Sequence, residues 1–260
     1  TPWEWHKEIF ELANELGMTC FSTPFDETAV DFLEELEVPA YKIASFEIVD
    51  LPFIKRVAQT GKPIIMSTGM ATLTEIDEAV QTIRNAGGMQ LALLQCKSAY
   101  PAAPDEMNLR TIPHLSETFG VPIGLSDHTL GIMVSVAAVS LGACIIEKHF
   151  TLSRDKRGPD SAFSMEPNEF RAMVEAIRTV ERALGEVSYE VTNQEVASRV
   201  FRRSLFVVKD MEVGDTFTKE NVRSIRPGYG LAPKFIEQVM GRMVLHDINR
   251  GQPLSLEDLK

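Results

Sequence analysis

Short apolar runs alternate with longer stretches of helical period along positions 1–185, and this alternation predicts strands and helices in turn. Strands are expected at 18–22, 40–44, 63–67, 90–96, 121–125 and 143–148. Helices are expected at 3–16, 27–36, 51–59, 73–85, 108–119, 132–141 and 167–184. Thr1 and Pro2 read as the cap and first residue of the first helix, and Gly17 ends it. Repeated strand-helix units imply a parallel sheet wrapped by helices, an α/β class. The chain opens on a helix and supplies six strands where a (β/α)8 barrel needs eight. The expectation is therefore a (β/α)8 TIM barrel lacking its first two strands in this chain. The rival is an open six-stranded sheet. Against it, no glycine-rich phosphate loop opens the first strand-helix unit, and polar clusters end nearly every strand.

After Gly185 the pattern changes. Positions 186–200 are polar without a strong apolar period and read as a linker, leaving 201–260 as a separate small domain. That domain contains an echo: Asp210, Gly214, Phe217, Thr218, Glu220, Asn221 and Val222 recur as Asp247, Gly251, Leu254, Ser255, Glu257, Asp258 and Leu259. The glycine permits a turn, the apolar residue anchors a short strand, and Thr218 or Ser255 can cap the helical turn that follows. Such a duplication builds a β-rich module near the lower size limit for a self-sufficient core, so it leans on the barrel or on another subunit.

Composition narrows the function. With 260 residues, 44% of them hydrophobic, the chain can bury a large core. A net charge of -11 argues against a nucleic-acid partner, although a local Lys/Ser pocket can still hold a small anion. Cys20, Cys96 and Cys144 fall within expected strands, widely spaced and odd in number. They read as small core residues of a reducing compartment. No long apolar run and no signal peptide appears, so the cytoplasm is expected and no membrane partner.

Candidate chemistry lies at the strand ends. In order these carry 22–26, Lys42 to Glu47, 67–69, Lys97 to Pro101, 126–128 and 147–149. Lysines and serines recur there, and their ammonium and hydroxyl donors suit a phosphate or carboxylate. Taken singly, each serine equally fits a helix cap or a turn. His128 and His149 close two strands joined by one short helix, so their side chains would be neighbours. Two imidazoles form a natural divalent-metal site, with histidines falling at strand ends by chance as the alternative. The loop 158–164 would hang over the same face, or be an ordinary surface turn. Arg226, before Pro227 and Gly228, is either a guanidinium reaching a ligand or a surface arginine.

The motifs Lys42-Ile-Ala-Ser-Phe-Glu47, Ser67-Thr-Gly69, Ser126-Asp-His-Thr-Leu130, Glu147-Lys-His-Phe150, Gly158-Pro-Asp-Ser-Ala-Phe163 and Arg226-Pro-Gly228 together resemble the sialic acid synthase family, in its pseudaminate branch. The resemblance runs through the whole chain. It implies that 201–260 is an antifreeze-like SAF domain of the β-clip type, and that two barrel strands precede the region equivalent to Thr1. The implied reaction condenses phosphoenolpyruvate with an amino-sugar aldehyde, 2,4-diacetamido-2,4,6-trideoxy-altrose, giving a nonulosonic acid and phosphate. N-acetylneuraminate and legionaminate synthases are alternatives within the family. By the same resemblance His128 and His149 hold a divalent metal, Mn²⁺, Mg²⁺ or Co²⁺. Lys42, Ser45, Ser67, Ser98 and Ser126 hold phosphoenolpyruvate, with Ser98 standing where N-acetylneuraminate synthases tend to have Asn. Glu47, Tyr100, Phe25, Asp160 and Phe163 lie toward the sugar or the metal. Arg226 reaches the sugar from the partner in a domain-swapped homodimer. Outside the family, a metal-dependent aldolase or isomerase on the same barrel, or a truncated non-catalytic sugar-binding fragment, are the competing readings.

Overall fold

Five short strands, Tyr41–Ile43 (β1), Ile64–Ser67 (β2), Leu91–Cys96 (β3), Ile123–Asp127 (β4) and Ile146–Lys148 (β5), form one sheet in chain order, and every neighbouring pair is parallel. The computed structural model describes residues 1–156 and 158–259; Arg157 and Lys260, the last residue of the expected C-terminal domain, lie outside the described residues. Helices Leu51–Ala58 (α3), Leu73–Asn85 (α4), Thr111–Phe119 (α5) and Met133–Ser140 (α6) make the crossovers. Trp3–Glu15 (α1) and Glu27–Glu35 (α2) precede the sheet, and Pro167–Leu184 (α7) closes this unit, Thr1–Gly185. A doubly wound sheet reverses its strand order at a switch point. This one runs 1 to 5 without reversal, so it is the wall of a (β/α) barrel, one half of the closed form.

Burial explains the strands. Every residue of β3 and β4 is buried, as expected for central parallel strands covered on both faces. Val30, Leu33, Ile54, Val57, Val80, Ile83, Leu115 and Phe119 bring the helices onto them. Gly124 is required for closeness: a Cβ there would come within 2.5 Å of the Ile145 carbonyl oxygen and of Leu94.

Several expectations need correction. The segment 18–22 makes only one parallel bridge, Ser22 to Tyr41, because Met18 and Phe21 are exposed and it has one sheet neighbour. The sheet thus has five strands, not six. Helix α5 begins at Thr111 and not at 108, since Asn108 adopts a positive φ of 47° that no α-helix continues through. Helix α1 begins at Trp3, with Pro2 in the capping position and no side-chain cap. Cys96 is buried, but Cys20 is half-buried and Cys144 is exposed, because the strand expected at 143–148 shortens to Ile146–Lys148.

The second unit, Glu186–Lys260, contains the helix Asn193–Ser198 (α8) within the stretch read as a linker. Strands Ser204–Val207 (β6) and Val222–Ile225 (β7) pair antiparallel, and Ile236–Val239 (α9) follows. The echo in the sequence becomes a pair of reciprocal contacts. Asp210 accepts from the Arg250 N–H (2.7 Å), and Asp247 accepts from the Val213 N–H (3.0 Å). Met211 and Ile248 exchange backbone hydrogen bonds, both 2.9 Å. Gly251 donates to the Val207 carbonyl as Gly214 does to that of Val244. Phe217 and Leu254, the matching apolar residues, are each 1% exposed. Each copy completes the other, which is how so short a module assembles a core.

Candidate active site

The C-terminal ends of the five strands supply the polar groups that surround a cavity of about 270 Å³. Open α/β folds bind ligands at this end because the loops there are free to carry chemistry while the sheet holds them rigid. Thr23, Phe25, Lys42, Ser45, Phe46, Ser67, Cys96, Tyr100, Ser126, His128, Glu147 and His149 all line it. A larger groove of about 870 Å³ lies beside it and shares the Cys96 wall. It lacks His128, His149 and Glu147, so the strand-tip groups surround the smaller space.

Lys42 is buried in β1, and its Nζ donates to Ser67 Oγ (2.8 Å) and to the Ile43 carbonyl (3.2 Å). Across the sheet Ser126 Oγ donates to Glu147 Oε1 (2.6 Å), and Glu147 Oε2 lies 3.5 Å from Lys42 Nζ. One carboxylate thus links the ammonium of β1 to the hydroxyl of β4. Ser45 Oγ accepts from the Gly69 N–H (3.0 Å). Gly69 cannot be larger: a Cβ would stand 2.3 Å from Ser98 Oγ and 2.7 Å from Ser45 Oγ. Ser98 Oγ and Glu47 Oε2 are buried without a hydrogen-bond partner among the described residues. Buried oxygens are rarely left so; both flank residues that line the cavity, Ser98 beside the Ser45 and Gly69 contact and Glu47 in the turn after Ser45, without lining it themselves. Burial pushes the Glu47 carboxyl up, and the nearby Lys42 offsets this only in part.

The rings of His128 and His149 have centroids 5.3 Å apart. His128 Nδ1 lies 2.8 Å from the Lys97 carbonyl, an oxygen that only accepts, so Nδ1 carries the proton and Nε2 keeps its lone pair. His149 Nδ1 faces Asp160 Oδ2 at 3.6 Å, which favours the same tautomer. Burial, reinforced by His128, holds the His149 pKa down and keeps that ring neutral. At His128 burial acts the same way, but the Cys96 thiol and the Lys97 carbonyl outweigh it and raise the pKa. Among the described residues no three His, Cys, Asp or Glu side chains converge as a complete metal cage. Two imidazoles with free Nε2 atoms nevertheless fit a divalent ion whose other positions are taken by water or substrate oxygens.

Tyr100 packs over His128 with centroids 4.3 Å apart, and Phe163 sits 5.0 Å from the His149 ring. Phe163 is buried and does not line the cavity, so it backs His149. Eleven of the expected site residues, Phe25, Lys42, Ser45, Glu47, Ser67, Ser98, Tyr100, Ser126, His128, His149 and Asp160, are gathered at or around this space. Arg226 lies in the second unit, exposed, bound to Pro227 by a cis peptide.

Three features received no individual role from the sequence, although Thr23, Asp127 and Lys148 lie in strand-end clusters read there as candidate chemistry. Thr23 lines the cavity from the loop after Ser22, where it could not be told from a turn residue. Cys96 resembled a core residue and is one, but its Sγ is 3.9 Å from His128 Nδ1. Asp127 and Lys148 form a fully buried pair at 3.0 Å, and Asp127 also accepts from Ser135 Oγ (2.6 Å) and from the Thr129 N–H (2.8 Å). That pair points away from the cavity and clamps β4 to β5, which fixes the positions of the residues flanking it, Ser126 and His128, Glu147 and His149.

A family model described as NeuB matches residues 1–189, and a SAF domain model matches residues 202–260. The pseudaminic acid synthase of Helicobacter pylori is 46% identical over 100% of this chain and 77% of its own length. That of Campylobacter jejuni is 44% identical over 100% of this chain and 76% of its own. The crystal structure of the Bacillus subtilis spore coat polysaccharide biosynthesis protein spsE superposes with a TM-score of 0.69 at 35% identity, covering 100% of this chain and 78% of that one.

Proposed function

Because the chain belongs to the NeuB family, we propose that it acts as a pseudaminic acid synthase, condensing phosphoenolpyruvate with the aldehyde of 2,4-diacetamido-2,4,6-trideoxy-altrose to give a nonulosonic acid and phosphate. The observation that carries this reading is the meeting, in one cavity, of an anion cradle and an imidazole pair. Lys42, Ser45, Ser67, Ser98 and Ser126 supply one ammonium and four hydroxyls for the phosphate and carboxylate of phosphoenolpyruvate. The orphaned oxygens of Ser98 and Glu47 gain partners when substrates enter.

His128 and His149 would hold a divalent ion, Mn²⁺, Mg²⁺ or Co²⁺, which supplies Lewis acidity toward the aldehyde oxygen. Asp160 orients His149, and the Lys97 carbonyl orients His128. Glu47 and Tyr100 face the sugar, with Phe25 at its edge. The enol carbon of phosphoenolpyruvate attacks the aldehyde carbon, and water adds at C2 of the resulting cation. The hemiketal phosphate then loses phosphate by C–O cleavage, while the Lys42 ammonium stabilises the negative charge that collects on the leaving group. The three cysteines are free, which suits a cytoplasmic protein. A direct assay of the purified protein should show phosphate released in step with consumption of both substrates, and a reaction that consumes the sugar without releasing phosphate would replace this reading with an aldolase.

Arg226 belongs to this reading as a contact from a second subunit. It is exposed and, among the described residues, makes no hydrogen bond or ion pair, so its guanidinium is available to a carboxylate or hydroxyl-rich ligand. Mixing Arg226→Ala with His149→Ala subunits should restore activity by assembling one intact site per dimer. No recovery after verified subunit exchange would confine Arg226 to its own chain or remove it from the site.

A further inference from the structure

Phe46 stands out among the groups that line the catalytic cavity. It occupies the middle of a 3-10 turn, Ser45–Glu47, directly after β1. Its neighbours turn inward: Ser45 is 6% exposed and Glu47 has a buried oxygen. Phe46 itself is 58% exposed and yet lines the cavity. Phe25, on the loop before α2, does the same at 65% exposure. Two phenylalanine rings thus stand in water at the β1 side of a cavity whose opposite side holds the histidines. An exposed ring gains from cover by an apolar group, and neither ring has a polar atom with which to recognise anything else. The turn is held in place by the Ser45 hydrogen bond to the Gly69 N–H, so the Phe46 backbone cannot retreat without disturbing the anion cradle.

We propose that Phe46, with Phe25, forms an apolar wall that takes the methyl group of an acetamido substituent and so decides which stereoisomer of a diacetamido-trideoxy sugar aldehyde is accepted. The inference rests on the synthase reading. A sugar anchored at its aldehyde by the imidazole side has each substituent directed to one side or the other by the configuration of the carbon that bears it. In one configuration the acetamido methyl meets the rings. In the epimer the polar face of the amide meets them, or the ring's bulk meets the carbon chain. Discrimination of one methyl-sized group by an apolar wall amounts to about 10- to 200-fold in kcat/KM. The anion cradle is made by Lys42, Ser45 and Ser67 and not by the Phe46 ring, so a change of that ring should act on the sugar more than on phosphoenolpyruvate.

The test is the ratio of kcat/KM for the altro- and manno-configured 2,4-diacetamido-2,4,6-trideoxyhexoses, measured by phosphate release for the wild-type protein, Phe46→Gly and Phe46→Leu. Phe46→Gly should lower the ratio at least about tenfold, with the KM for phosphoenolpyruvate changing far less than that for the sugar, and Phe46→Leu, which keeps an apolar bulk, should retain more of it. An unchanged ratio in a Phe46→Gly protein that still turns over would overturn the assignment. Should Phe46→Gly not fold, Phe46→Leu alongside Phe46→Asn decides, since loss of the ratio in Asn but not in Leu is what an apolar wall predicts and equal ratios are not. Absence of phosphate release by the wild-type protein with either sugar would sink the synthase reading instead, which keeps the two failures apart.

Discussion

The two units of the chain organise their polar groups in opposite ways. All of the net charge of -11 resides in residues 1–185, because residues 186–260 contain eleven basic and eleven acidic side chains. Within the acidic barrel unit, however, the site is built around a buried ammonium: Lys42 is 7% exposed and is met by Ser67 and Glu147. In the neutral C-terminal unit two carboxylates tie the repeat together. Asp210 and Asp247 cap backbone N–H groups across the repeat, and arginine 226 is left exposed. Net charge therefore says little about where donors for an anion gather; in this chain they gather at the strand tips.

The contrast can be broken most severely at the imidazoles. His149→Ala should lower turnover by about 10²- to 10³-fold or more while thermal unfolding shifts far less than for a core substitution, because this ring is partly exposed. A chelator should have the same effect as that substitution. Activity at the wild-type level in either case would remove the imidazole pair from the reaction.

A second break concerns the clamp beneath the site. Asp127→Asn leaves the Lys148 ammonium buried at 1% side-chain exposure without its counter-charge. Breaking such a pair costs about 3 to 5 kcal/mol, and denaturant unfolding of the barrel unit should shift by that order. A change within experimental error would mean that water reaches the pair.

The smallest effect tests the repeat. Asp210→Ala and Asp247→Ala each remove one carboxylate that accepts from a backbone N–H of the other copy, and each should cost about 0.5 to 2 kcal/mol. Their equality is the sharper expectation, since the two contacts differ by only 0.3 Å in length and match in geometry. Markedly unequal losses would show that the two halves are not energetically equivalent.

Legibility in the sequence followed the range of the interactions. The strand-helix alternation and the echo of Asp210 in Asp247 were readable because they are local patterns set by burial period and turn chemistry. The strand tips were readable as well, since a polar cluster after an apolar run has few places to go. Residues whose role depends on a distant partner were not. Cys96 carries no sign that His128, 32 positions on, lies 3.9 Å away. Nor does Glu147 announce that it joins Ser126 to Lys42, a link that exists only because β1, β4 and β5 end at one level. The strand expected at 18–22 failed for a related reason: pairing is decided by neighbours, and only Ser22 has one within reach.

The central claim, that the cradle around Lys42 and the imidazole pair act together in a condensation ending with C–O cleavage, is tested most directly by isotope fate. Phosphoenolpyruvate carrying ¹⁸O in the bridge between C2 and phosphorus should deliver that label to inorganic phosphate, read by the mass of the phosphate released in the presence of the sugar. Label retained in the nonulosonic acid, with unlabelled phosphate, would mean P–O cleavage and contradict the account.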